Sequence, residues 1–113
     1  MRIVAAESHG IPVLALDGAL TLGRPVDTFG EAWPRVFEEG GKGLVLDCTR
    51  LAYLDSAGIG AIVACAKAGA EAGRVVKVVL PPDGPARRIF ELTQLERAFE
   101  IFGAVDDAAA SFP

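Results

Sequence analysis

The densest chemistry in this chain is Asp55-Ser56-Ala57-Gly58-Ile59-Gly60, a serine beside a carboxylate with two glycines just after it. A serine does acyl chemistry only with a base in hydrogen-bonding reach and usually an acid to orient that base. The one histidine, His9, lies in an expected hairpin turn, and Gly-x-Ser-x-Gly is absent because Leu54 precedes Asp55. The hydrolase reading is weak. Gly58 and Gly60 lack the third glycine of a dinucleotide fingerprint, and Gly41-Lys42 is followed by Gly43 instead of the hydroxyl residue of a Walker loop. Asp106-Asp107 reads as acidic residues favouring a helix start, and Arg87-Arg88 as a solvated helix face. Cys48 and Cys65 lack zinc-ligand spacing and read as buried small hydrophobes. No metal, cofactor or catalytic group is expected.

Two readings remain for Asp55-Ser56. Both residue types cap helices by accepting from the unpaired N–H groups of the first turn. The pair is also suited to receiving a partner or an anion. Ser56, Gly60, Ala64, Lys67 and Glu71 share one helical face with little bulk before its far end, so another protein can lie close against it. Gly58 and Gly60 each weaken a helix by about 1 kcal/mol relative to alanine, which a purely structural helix would avoid. A phosphate on Ser56 would add roughly −1.5 to −2 charge in a helix N-terminal field that tolerates it.

Several elements must hold this pair in place. Ile3 to Glu7 and Ile11 to Leu16 read as strands around the turn His9-Gly10. Gly18 to Gly23 reads as a loop. Pro25 is suited to open a helix whose inward face is Val26, Phe29, Trp33 and Val36-Phe37, and Pro34 is expected to kink or split it. Leu44-Val-Leu is a buried strand, followed by a short polar turn that delivers Asp55 and Ser56 to an alanine-rich helix. That helix is expected to turn Ile59, Ile62, Val63, Ala66 and Ala70 toward the core. Val75 to Leu80 is a second buried strand, Pro85 opens a helix carrying Ala86, Ile89 and Phe90 inward, Ala98 to Phe102 is a last strand, and Val105 to Phe112 a terminal helix. The order β β α β α β α β α predicts an α/β fold. Its mixed, mainly parallel sheet has about five strands, with about four helices packed on it.

At 113 residues the chain is expected to form a single domain spanning 1–113, large enough for a core without disulfides or metal. A net charge of −4 leaves no basic stripe for nucleic acid. No segment approaches the ~20 apolar residues of a membrane span, and Glu7 comes before any run long enough for a signal peptide. A cytoplasmic location without membrane insertion is expected.

The stretch Leu44-Val-Leu-Asp-Cys-Thr-Arg-Leu-Ala-Tyr-Leu-Asp-Ser-Ala-Gly-Ile-Gly60 resembles the signature of STAS domains, shared by sulfate transporters and bacterial anti-sigma factor antagonists. The resemblance extends to Leu16-Asp-Gly-Ala-Leu, the Gly40 to Gly43 run, Gly73-Arg-Val-Val-Lys-Val-Val-Leu and Leu92-Thr-Gln-Leu-Glu-Arg-Ala-Phe-Glu-Ile-Phe. It implies a STAS-type fold and a non-enzymatic switch. The unphosphorylated protein would bind an anti-sigma factor with serine kinase activity and release its sigma factor. Phosphorylation at Ser56 would end that binding, and a phosphatase acting on phospho-Ser56 would restore it. The implied partner surface comprises Thr21 and Leu22 of the Gly18 to Gly23 loop with Asp55, Ser56, Ala57, Gly58, Gly60 and Ala64. Thr21 stands where many members carry an acidic residue, and Ala57 where many carry a second small hydroxyl residue. The alternative within the same fold is a scaffold that is never phosphorylated, an accessory subunit of a transport or stress-signalling assembly.

Overall fold

His9 and Gly10 both take positive φ, 51° and 75°, the backbone of a two-residue hairpin turn whose twist matches that of the paired strands. In the computed structural model, which describes residues 1–113, this turn joins strand β1 (Arg2–Ser8) to β2 (Ile11–Leu20). The two pair antiparallel in unbroken register from Arg2 opposite Asp17 to Ser8 opposite Ile11. The rest follows as α1 (Arg24–Glu38), β3 (Gly43–Leu54), α2 (Ser56–Glu71), β4 (Val75–Val79), α3 (Pro85–Leu92), β5 (Ile101–Phe102) and α4 (Val105–Ala110). The sheet order is β1-β2-β3-β4-β5, and the three pairs after the first are parallel. This is the expected α/β architecture.

Helices α1, α2 and α3 cover one face of the sheet, where Leu14, Leu16, Leu44, Leu46 and Cys48 meet Phe29, Phe37, Ile62, Cys65 and Phe90. On the other face α4 alone lays Ala108 and Ala109 over Ile11, Val13, Val45 and Val79. With both faces covered, the central strands read as continuous apolar runs.

Four local expectations change. Helix α1 runs unbroken through Pro34. The carbonyl deprived of its partner belongs to Gly30, which is exposed to water. The loop after β2 is shorter than Gly18 to Gly23, because β2 continues to Leu20 and pairs with Leu54. No polar turn interrupts β3. Its pairing with β2 instead slips by one extra residue between Ala15–Asp47 and Asp17–Arg50, and again between Gly18–Leu51 and Ala19–Tyr53. These bulges turn Cys48, Leu51 and Leu54 inward at every third position. Finally, β5 is only two residues, Leu95–Arg97 forms a 3-10 turn with Leu95 buried, and the terminal helix stops at Ala110.

Lys77 lies inside this frame with only 5% of its surface exposed. It sits on the α4 side of β4, where its Nζ donates to Ser111 Oγ at 2.7 Å and stands 3.6 Å from Glu100 Oε2. The ammonium also lies 4.5 Å from the Phe112 ring centre, an attraction of cation and π-face that fastens the chain after α4.

Candidate functional site

The end of β3 and the start of α2 are joined at Asp55, whose extended backbone (φ −92°, ψ −175°) makes it the helix N-cap. Its Oδ1 accepts from the Gly58 N–H at 2.8 Å. Its Oδ2 accepts from the Leu22 N–H at 2.9 Å. One carboxylate thus ties the loop between β2 and α1 to the first turn of α2. These N–H groups, Leu22 first and Gly58 next, hold the Asp55 carboxyl below the ordinary carboxylate range.

A pH dependence follows with a definite sign. A carboxyl with a depressed folded pKa contributes stability that is present above its unfolded value and lost as pH falls through its folded value. Acid titration of Asp55→Asn is expected to show a shallower loss of stability than the parent below the usual carboxylate range. Hydrogen exchange at the Leu22 amide is expected to be faster in the variant at neutral pH. Equal acid profiles and equal Leu22 exchange would remove Asp55 from this role.

Because Asp55 does the capping, Ser56 does not. It is the first helical residue, it is exposed, and its hydroxyl is left free beside the positive end of a 16-residue helix. Gly60, Ala64, Lys67 and Glu71 are exposed on the same face, as expected. Ala57 and Thr21 are half-buried, and Leu22 stands 77% exposed.

Three placements differ from expectation, and the simplest is Ala70, which the apolar pattern turns inward but which is exposed on α2. Gly58 is buried, and a Cβ added to it would lie 2.0 Å from the Leu20 carbonyl oxygen. It is there so that α2 can touch the end of β2, and it does not present a surface to a partner. Gly60 has nothing within 4 Å of an added Cβ. Val63, expected in the core, is 45% exposed and lies on the Ser56 face, two turns along. The buried stripe is Gly58, Ile62, Cys65 and Gly69. Its two glycines carry no hydrophobic signal, which is why the stripe was misplaced by pattern alone.

His9 and Ser56 stand at opposite ends of the ten-residue strand β2, a separation on the order of 30 Å at strand rise. The serine–base pair needed for hydrolysis is therefore not assembled. No group of three or more metal-ligating side chains is brought together. Both cysteines are buried, and desolvation pushes the Cys65 thiol up to about 12 and the Cys48 thiol higher still, the latter also repelled by Asp47. No helix is long and apolar enough to cross a membrane.

Residues 2–108 match the STAS domain family. The chain belongs to that family. Among the curated proteins no sequence matches this STAS domain. Its fold is similar to that of an anti-sigma factor antagonist from Mycobacterium paratuberculosis, with TM-score 0.79 and 21% identity over 98% of this chain and 92% of that one. It is also similar to the anti-sigma factor antagonist SpoIIAA in its unphosphorylated form, with TM-score 0.69 and 16% identity over 96% and 94% of the two chains. The phosphorylated form of SpoIIAA from Bacillus gives TM-score 0.70 and 15% identity over 96% and 97%. At these identities the likeness is one of fold.

Proposed function

We propose that this STAS domain is an anti-sigma factor antagonist switched by phosphorylation of Ser56. Unphosphorylated, it binds an anti-sigma factor that is also a serine kinase, and so frees the sigma factor in the cytoplasm. Phosphoryl transfer to Ser56 ends the binding, and a phosphatase restores it. The domain itself performs no catalysis.

The observation that carries this reading is the division of labour at the start of α2. Asp55 spends both oxygens on backbone N–H groups, so the Ser56 hydroxyl is exposed and not required for the fold. A phosphate there gains from the helix N-terminus and meets no buried group. The added charge instead confronts whatever lies against the exposed face of Ser56, Gly60, Val63 and Ala64 and the adjoining Leu22. A partner surface shaped for a neutral hydroxyl then faces a desolvated dianion beside Asp55. Family membership and the fold shared with two anti-sigma factor antagonists support the same reading.

Incubation with the genomically neighbouring anti-sigma kinase and ATP is expected to place one phosphate on Ser56, located by mass spectrometry and absent in Ser56→Ala. Ser56→Asp is expected to weaken kinase binding by about tenfold or more, or about 1.4 kcal/mol, with unchanged thermal unfolding. Absence of transfer together with unimpaired binding of Ser56→Asp would sink the switch and favour a constitutive scaffold using the same face.

A further inference from the structure

Strand β1 closes one side of the sheet and pairs only with β2. Its outer row of N–H and C=O groups is left without strand partners. Such edges are templates for another strand unless they are short, bulged, or interrupted by proline or inward charges. β1 has none of these protections. It is seven residues long, Arg2-Ile-Val-Ala-Ala-Glu-Ser8, contains no proline or lysine, and keeps its register with β2 without a slip. Val4 is 41% exposed, and Ala5 and Ala6 are exposed beside it. The opposite edge is different, since β5 offers only Ile101 and Phe102.

We propose that β1 is a self-association edge that pairs antiparallel with β1 of a second copy of this chain. The charges select that occupant and that direction. The basic end of the strand carries Arg2 and the acidic end Glu7. These two point to opposite faces, Arg2 with Val4 and Glu7 toward α1. The charges that meet across an antiparallel pair are therefore Glu31 and Arg35 of α1, which parallel pairing would turn to opposite sides of the joined sheet. A two-fold axis normal to the sheet keeps α1 of both copies on one side and α4 of both on the other. Positions of like parity then oppose one another, so Val4 meets Val4 or Ala6 of the other copy, and Ile3 meets Ala5 or Glu7. On the α1 side, Ile3, Ala5 and Leu14 floor a groove walled by Thr28, Glu31 and Arg35. The same axis brings Glu31 of one copy toward Arg35 of the other. The result is one sheet of ten strands, five from each copy, closed by an isologous contact.

A strand of seven residues spans about 23 Å, too little to bury the ~800 Å² per partner of a standard stable interface. The dimer is accordingly weak and concentration-dependent. Ser56 lies on the helix between β3 and β4, away from this edge, so both copies keep their partner surface free. The pairing does not depend on phosphorylation.

Sedimentation velocity of the full chain from about 5 to about 500 µM is the test, the range in which weak association becomes visible. The parent is expected to shift from monomer to dimer across that range. The double variant Val4→Lys/Ala6→Lys, with circular dichroism unchanged, is expected to stay monomeric, and Ser56→Asp is expected to dimerise like the parent. A parent that remains monomeric throughout overturns the proposal. So does dimerisation that is equally strong in Val4→Lys/Ala6→Lys, since the contact would then lie on another surface.

Discussion

Gly58→Ala is expected to lower the unfolding free energy by about 3 kcal/mol or more, and Tm by roughly 15 °C for a domain of this size. The added Cβ would meet the Leu20 carbonyl oxygen at 2.0 Å and its carbon at 3.0 Å. Those are backbone atoms, so relief requires moving β2 or α2 as a whole. The same substitution two residues later has the opposite sign. Gly60→Ala meets nothing within 4 Å and should gain up to about 1 kcal/mol from helix propensity. Chemical denaturation of the two variants beside the parent checks both signs at once. Similar effects at the two positions would contradict the close approach of α2 to Leu20. The pair also separates fold from function, since Gly60 faces the proposed partner surface. A methyl at Gly60 that stabilises the domain yet weakens kinase binding would show a glycine kept for contact at the expense of stability.

Phe90→Ala is expected to cost about 3–5 kcal/mol, the usual range for emptying a buried aromatic site. Phe90 is fully buried, and with Ala86 it is one of two buried residues in the eight-residue helix α3. A helix this short does not hold in water by its own hydrogen bonds, so its anchoring to the core decides whether it forms. The Phe99 ring lies 6.4 Å from that of Phe90, which ties the segment before β5 to the same anchor. The loss should therefore be regional as well as global. Amides of residues 86–102 are expected to exchange faster in Phe90→Ala by more than the global loss accounts for, and Phe90→Leu should recover most of the stability. Uniform exchange across the molecule would place the anchor elsewhere.

The parts of the fold that were legible from sequence are those where one residue type answers one physical demand. His9-Gly10 had to turn, Pro25 and Pro85 had to sit at helix starts, and Val75 to Leu80 had to hold a covered strand. The structure puts the turn and the helix starts there and the strand at Val75–Val79, covered except at Val75. The order of elements and the mainly parallel sheet followed from those.

What escaped detection lies where geometry outruns hydrophobic pattern. Two bulges in β3 replace a period of two by a period of three at Cys48, Leu51 and Leu54. Thr49 and Arg50, which look like a turn, are simply the outward residues of that strand. In α2 the inward stripe contains Gly58 and Gly69, so Val63 was drawn into a core it does not enter. Lys77 lies within an apolar strand pattern, and nothing nearby in sequence announces Ser111 and Phe112 as its partners. At the site, Asp55 and Ser56 are adjacent in sequence, yet the division of their roles is set by tertiary contacts. The hydrogen bond from the Leu22 N–H joins residues 33 positions apart, and no local spacing encodes it.

The two buried thiols have a bearing on how the domain can be watched. Cys48 lies in the middle of β3 and Cys65 on the inward side of α2, both in the core beneath the helices. Only thiolate attacks an alkylating reagent, and both groups are withheld from solvent and kept protonated by their surroundings. Each becomes reactive only when its own layer parts. The chain thus carries two internal reporters of opening, one in the sheet and one in the helix that bears Ser56. Oxidants that modify surface cysteines leave both untouched while the core is closed.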